Sequence, residues 1–231
     1  MTNATSTALI TGGSKGLGRE LALQLSERGW EVFITGRNAA SLQSASEQLP
    51  RGVHARQGDV TDPRHLEQLT TELAGRLDVV INNASDLGHS PLRTVANTDL
   101  DAVRRAVEVN LLAPWALTHA LLPTLRERQG IVVNISSDAA VEPYPTWGAY
   151  GASKAALDHF TAILAAEEPD LSVYAFDPGD MRTDLHQAAF PGEDISDRPL
   201  PQAAARSLVG ILEGRPPGGR YTIESPVGAV A

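Results

Sequence analysis

The chain contains no cysteine. Disulfides, thiolate nucleophiles, iron–sulfur clusters and cysteine-held zinc are therefore excluded, and a metal site would need His and carboxylates. None of the six histidines falls in an H-E-x-x-H pair or another ligand spacing, so no metal centre is expected. Positive charge is in deficit: 19 Lys and Arg against 28 Asp and Glu leave a net charge of −9. Such a chain repels phosphate backbones and anionic lipid, so neither nucleic acid nor a membrane is the expected partner. No apolar run approaches the ~18 residues of a membrane span. Residues 1–7 lack the basic residues that open a signal peptide. The chain reads as soluble and cytoplasmic. Aromatics are few, 3 Trp, 4 Tyr and 4 Phe, so each one near a candidate site carries weight.

What is present is a globular composition, 42% apolar and 20% charged over 231 residues, of a length that α/β folds use as one domain. Short β-branched runs alternate with stretches of helical period, the pattern of βαβ units on a parallel sheet. Strands are expected at 7–11, 31–35, 53–57, 79–82, 131–136, 172–176 and 220–224. Helices are expected at 16–28, 39–48, 63–74, 99–126, 148–167 and 201–212. The strands read as near-continuous apolar runs, as in a sheet covered by helices on both faces. Pro114 is interior to the 99–126 stretch and is expected to kink it. The one long irregular segment is 178–199, and residues 180–200 are the expected cover of a substrate site.

Thr11-Gly12-Gly13-Ser14-Lys15-Gly16-Leu17-Gly18 lies between a strand and a helix. Glycines there permit a tight turn and let the backbone approach a pyrophosphate at the positive helix N-terminus; a sharp turn alone is the other reading. An acidic residue ~20 positions beyond the glycines marks NAD by binding the ribose 2′-hydroxyl. Here the second strand ends Thr35-Gly36-Arg37. A guanidinium suits a 2′-phosphate better than a hydroxyl, and Lys15 supplies a second cation, so NADP(H) is expected in preference to NAD. The alternative is that both are solvated surface charges.

Farther along, Asn134-Ile135-Ser136-Ser137 is followed by Tyr150-Gly151-Ala152-Ser153-Lys154. Residues 150 and 154 are i and i+4 on a helix and share a face. A phenol ordinarily ionises near pH ~10. An ammonium ~4 Å away at an effective dielectric of ~20 contributes roughly 4 kcal/mol, which would bring Tyr150 near neutrality before desolvation is subtracted. Tyr144 and Trp147 lie in the intervening segment and are candidates for an apolar wall. His89 and His186 are candidate pocket residues.

These pieces, with Asp59-Val60, Asn82-Asn83-Ala84, Asn110, and Pro178-Gly179 with Thr183, stand in the order and spacing of the short-chain dehydrogenase/reductase family in its single-domain form. The sequence resembles that family over nearly its whole length. The resemblance implies one domain with a doubly wound, Rossmann-type, mostly parallel seven-stranded sheet between helices, and hydride transfer between a nicotinamide cofactor and a small carbonyl or alcohol. By the same resemblance Tyr150 is the general acid/base, Ser137 binds the substrate oxygen, and Lys154 holds the nicotinamide ribose and acts on Tyr150. Asn110 perturbs the long helix and binds a water of the proton relay. Gly12, Ser14, Gly16, Leu17 and Gly18 seat the cofactor phosphates, Asp59 and Val60 flank the adenine, and Asn82 and Ala84 line the groove. Pro178 and Gly179 are cofactor-binding, and Thr183 touches the carboxamide. A homodimer or homotetramer is also implied. Ser85 departs from the pattern, which has glycine after Asn-Asn-Ala. Two other readings are a dinucleotide-binding redox sensor without turnover and an NAD-dependent sugar epimerase. The first has no need of Ser, Tyr and Lys at this spacing; the second needs a larger C-terminal domain than the chain has room for.

Overall fold

The computed structural model describes residues 5–225. Seven strands, β1 (Thr7–Ile10), β2 (Glu31–Gly36), β3 (Val53–Gln57), β4 (Val79–Asn82), β5 (Ile131–Ile135), β6 (Ser172–Asp177) and β7 (Gly219–Thr222), form one sheet in the order β3-β2-β1-β4-β5-β6-β7. Every pairing is parallel. Between them run α1 (Gly16–Glu27), α2 (Ala39–Gln48), α3 (Pro63–Leu73), α4 (Leu100–Val107), α5 (Ala113–Arg128), α6 (Gly148–Glu167), α7 (Asp184–Ala189) and α8 (Gln202–Gly214). The expected doubly wound fold is the one observed.

Alternation along the strands gives each face its own core. Ala8, Ile10, Val32, Ile34, Ile81 and Val133 pack on one side against Leu21 and Leu25 of α1 and Leu208 of α8. Leu9, Phe33, Val80 and Val132 pack on the other against Leu73, Leu121 and Leu157 of α3, α5 and α6. The inner strands are buried along their length, whereas edge strand β3, Val53-His54-Ala55-Arg56-Gln57, is half-buried. The expectation of apolar strands throughout fails there because an edge has a solvated flank.

The 99–126 stretch is helical without a break from Leu100 to Arg128, as expected, but its irregularity is a π-helical turn and not a kink at Pro114. It is α4, a π-helical turn at Glu108–Leu112, and α5. Pro114 sits in the first turn of α5, where its missing N–H leaves no bond unmade. Asn110 sits at the centre of the π turn. The 178–199 segment contains the short helix α7, capped by Thr183 Oγ1, which accepts from the His186 amide at 3.3 Å. Among the described residues no helix is long and apolar enough to cross a membrane.

The chain steps outward from β1 to β3, then returns past β1 to lay down β4. This reversal splays the loops after β1 and β4 apart and opens a crevice at the carboxyl ends of the strands.

Candidate active site

A cavity of about 900 Å³ occupies that crevice. At one end the turn from β1 to α1 is held open by glycine. Gly12 and Gly16 have φ of 67° and 56°, a region costly to residues with a Cβ. A Cβ on Gly12 would lie 3.0 Å from the Ala84 backbone, and one on Gly18 would lie 2.6 Å from the Gly12 carbonyl oxygen. Gly18 therefore serves the packing of the turn and does not itself line the cavity. Helix α1 has Lys15 at its N-cap, with no side-chain cap hydrogen bond, so its first amides and its positive end remain available to an anion. Lys15 Nζ meets Asp184 Oδ2 at 2.7 Å, and Arg37 lies 3.9 Å from Asp59; both cations are largely exposed.

Gly12, Ser14, Lys15, Gly16, Leu17, Arg37, Asp59, Val60, Ala84, Pro178, Gly179 and Thr183 all line the cavity, as do Ser137, Tyr150 and Lys154. Asn82 does not. It is buried in the sheet, where its Nδ2 donates to Asn134 Oδ1 at 2.8 Å and Thr118 Oγ1 at 3.2 Å. Its neighbour Asn83, which the sequence did not single out, lines the cavity and donates from Nδ2 to the carbonyls of Thr11 and Gly12. Asn110 is fully buried and off the cavity wall. Its Oδ1 accepts from the Asp86 amide at 2.8 Å and from Ser85 Oγ at 3.1 Å; its Nδ2 donates to the Asp86 carbonyl and to Ser153 Oγ.

At the far end, α6 presents Tyr150 and Lys154 from one face, both buried. Lys154 Nζ donates to the Ile135 carbonyl at 2.7 Å and stands 5.6 Å from the centre of the Tyr150 ring. The expectation that Lys154 alone brings the phenol near neutrality is contradicted. Burial pushes Tyr150 up to about 12, against the hydrogen bonding of Ser85 and Ser137, and Asp177 and Asp138 raise it further. Burial also presses Lys154 down to about 8, with Asp158 and Asp177 opposing. Desolvation is the largest influence on both groups.

Ser137 follows β5 and donates to Asp138 Oδ1 at 3.0 Å. Arg220 of β7 clamps the ground beneath it, donating to the Ser137 carbonyl at 3.1 Å, to Asp177 Oδ2 at 2.9 Å and to Asp158 Oδ2 at 3.0 Å. Arg220 was invisible in the sequence because its partners come from three other segments. Beyond Tyr150, Trp147 meets its ring edge-on at 5.5 Å and Phe190 at 5.9 Å. These rings, Tyr144, His89 and His186 line the outer cavity. Its walls are thus aromatic, with Asp86, Asp138 and Asp180 interspersed. Among the described residues no cluster of His and carboxylates could hold a metal ion.

Residues 6–194 match the family model for short chain dehydrogenase. Serine 3-dehydrogenase of Agrobacterium fabrum is 35% identical over 185 residues, 78% of this chain and 73% of that one. Sepiapterin reductase of Xenopus laevis is 34% identical over 199 residues, 78% and 75% of the two chains. Among solved structures, a short chain dehydrogenase of Escherichia coli complexed with NADPH superimposes with a TM-score of 0.85 at 29% identity, covering 95% of this chain and 97% of that one.

Proposed function

The chain belongs to the short chain dehydrogenase family of oxidoreductases, and we propose that it transfers a hydride between NADP(H) and a small carbonyl or secondary alcohol, with Tyr150 as general acid/base. The observation that carries the reading is the single cavity that joins an uncapped, glycine-cleared helix N-terminus to Ser137, Tyr150 and Lys154. The residues present fit a dinucleotide phosphate: the glycines leave the backbone bare, and Arg37 and Lys15 stand at the same end. Two exposed cations there favour a 2′-phosphate over a 2′-hydroxyl, and the NADPH complex of the Escherichia coli relative supports the same choice. When bound, the nicotinamide supplies or takes the hydride.

The chain's own residues handle the proton. Tyr150, at about 12, is protonated at neutral pH, the state needed to give Oη–H to a carbonyl oxygen as that oxygen gains charge. Ser137 Oγ, turning from Asp138, donates to the same oxygen. The Lys154 ammonium, fixed on the Ile135 carbonyl, lends positive charge to the side on which the phenolate forms. Trp147 and Phe190 keep water from the reacting face. The exposed Leu112, Trp115 and Ile163 support the homo-oligomer that the family resemblance implies.

NADPH oxidation against a panel of carbonyl compounds tests the reading. Tyr150→Phe is expected to lower turnover at least ~10³-fold, within the usual range for losing a general acid, and to leave NADPH affinity within about twofold. Appreciable turnover in that variant would sink the assignment. Arg37→Asp is expected to reverse the cofactor preference toward NADH, read as the ratio of the two dissociation constants. A wild type that already favours NADH overturns the choice of NADP(H).

A further inference from the structure

Ser137 stands just past the end of β5. The last pairing of β5 with β6 is Ile135 with Phe176, and the Ser136 amide still donates to the Phe176 carbonyl at 2.7 Å. Beyond it Ser137 is bonded by its own turn, its carbonyl accepting from the Ala140 amide at 3.0 Å and its Oγ from the Ala139 amide at 3.2 Å. That turn is a single 3₁₀ turn, Asp138–Ala140, weak by itself. Arg220 reaches it from another element. It is in register with Ala175 of β6, which pairs with Asn134 of β5, and its guanidinium extends past both to donate from Nη2 to the Ser137 carbonyl at 3.1 Å. Two carboxylates aim it. Nε donates to Asp158 Oδ2 of α6 at 3.0 Å and Nη2 to Asp177 Oδ2 of β6 at 2.9 Å, and these carboxylate side chains are 16% and 8% exposed. All the hydrogens on Nε and Nη2 are thereby used, and a planar guanidinium held at both has little freedom to turn.

We propose that Arg220 is a positioning residue for the reaction, fixing the Ser137 backbone against the helix that carries Tyr150. The proposal rests on the reading of Ser137 and Tyr150 as the two donors to the substrate oxygen. Those donors come from different elements, the end of β5 and the start of α6, so their hydroxyls converge on one oxygen only while the two elements keep their relative placement. Arg220 is bonded to both. Asp158 follows Tyr150 and Lys154 along α6 at the spacing i, i+4, i+8, so the carboxylate that holds Nε shares the face of the phenol. Asp177 brings in a third piece, its Oδ1 accepting from the Gly179 amide at 3.0 Å. One guanidinium thus sets Ser137, the Tyr150 helix and the Pro178-Gly179 turn against one another. Without it the turn after Ser137 keeps only its local bonds, and Ser137 Oγ drifts from the point that the Tyr150 hydroxyl addresses.

A double-mutant cycle on carbonyl reduction with NADPH tests this. Arg220→Met is expected to lower kcat about tenfold and to leave the KM for NADPH within about twofold. In a Ser137→Ala background the same substitution is expected to cost less than about twofold, because the hydroxyl it positions is already gone. Equal losses in the two backgrounds, or no loss in either, overturn the proposal while Ser137 keeps its role. A Ser137→Ala variant as fast as the wild type removes the donor role of Ser137 instead, and the proposal with it. Arg220→Met leaves two mostly buried carboxylates without their cation. If it does not fold, Arg220→Lys takes its place in the cycle, keeping the charge but not the fork that spans three partners, with a loss of about threefold expected beside Ser137 and none beside Ser137→Ala. Hydrogen exchange needs no substrate. The amides of Ala140 and Val141 are expected to exchange about tenfold faster in the Arg220 variant, with those of β5 unchanged. Wild-type exchange at Ala140 and Val141 overturns the proposal. If no carbonyl in the panel is reduced, the oxidoreductase reading fails on its own account and the exchange alone decides whether Arg220 holds Ser137.

Discussion

Lys154 carries its charge in surroundings that resist it. The side chain is 1% exposed and its ammonium is pressed to about 8 by burial, whereas an unfolded chain holds a lysine near ~10.4. The folded state thus binds a proton less readily than the unfolded one. The resulting destabilisation is present in full below pH ~8 and is relieved as pH rises toward ~10.4. Lys154→Met is therefore expected to raise stability at neutral pH by on the order of 2 kcal/mol, after the lost hydrogen bond to Ile135 is subtracted. Denaturant unfolding checks it, and the advantage should shrink above pH ~8. A variant less stable than wild type at pH 7 would contradict the sign. Spacing in the sequence placed Tyr150 and Lys154 on one helical face, as observed. It set the Tyr150 ionisation too low because desolvation depends on burial, which neighbours in space set and an i, i+4 relation does not reveal.

Among the elements, the π turn at Glu108–Leu112 does the most for the site. The extra residue in the turn brings Asn110 to where it ties the loop after β4 to α6 through Asp86 and Ser153. Asn110→Ala strips partners from the part-buried Asp86 amide and carbonyl and from two serine hydroxyls. Its expected cost is about 2–4 kcal/mol, seen as a lower denaturant midpoint together with faster hydrogen exchange at Asp86. Unchanged exchange there would show that the loop is held by something else. The sequence offered Pro114 as the visible helix breaker, yet proline at a first helical turn breaks nothing, and the real irregularity has no proline in it. The misassignment of Asn82 also has a local cause. Strand parity sends Asn82 and Asn134, paired in register across β4 and β5, to the face covered by α5 and α6, where they meet Thr118 and Thr161, and leaves the next residue, Asn83, to the cavity. That alternation could have been read by pairing the two strands in advance.

For the whole molecule, the alternation of strand and helix was legible because parallel strands need helical crossovers, and the strand boundaries fell within a residue or two of those observed. The doubly wound arrangement came from family resemblance, since periodicity says nothing about which strands are neighbours, and the strand order itself was not read in advance. The contacts that finish the site were not legible at all, Arg220 foremost. It stands 83 residues from the Ser137 carbonyl it holds, and β7 is the last strand of the sheet to be laid down. Chains emerge from the ribosome N-terminus first, so the glycine turn, β1 to β4 and most of the crevice can exist while Ser137 still lacks its clamp. Synthesis thus lays down the glycine turn and β1 to β4 early, and supplies the Arg220 contact to the Ser137 carbonyl only with β7.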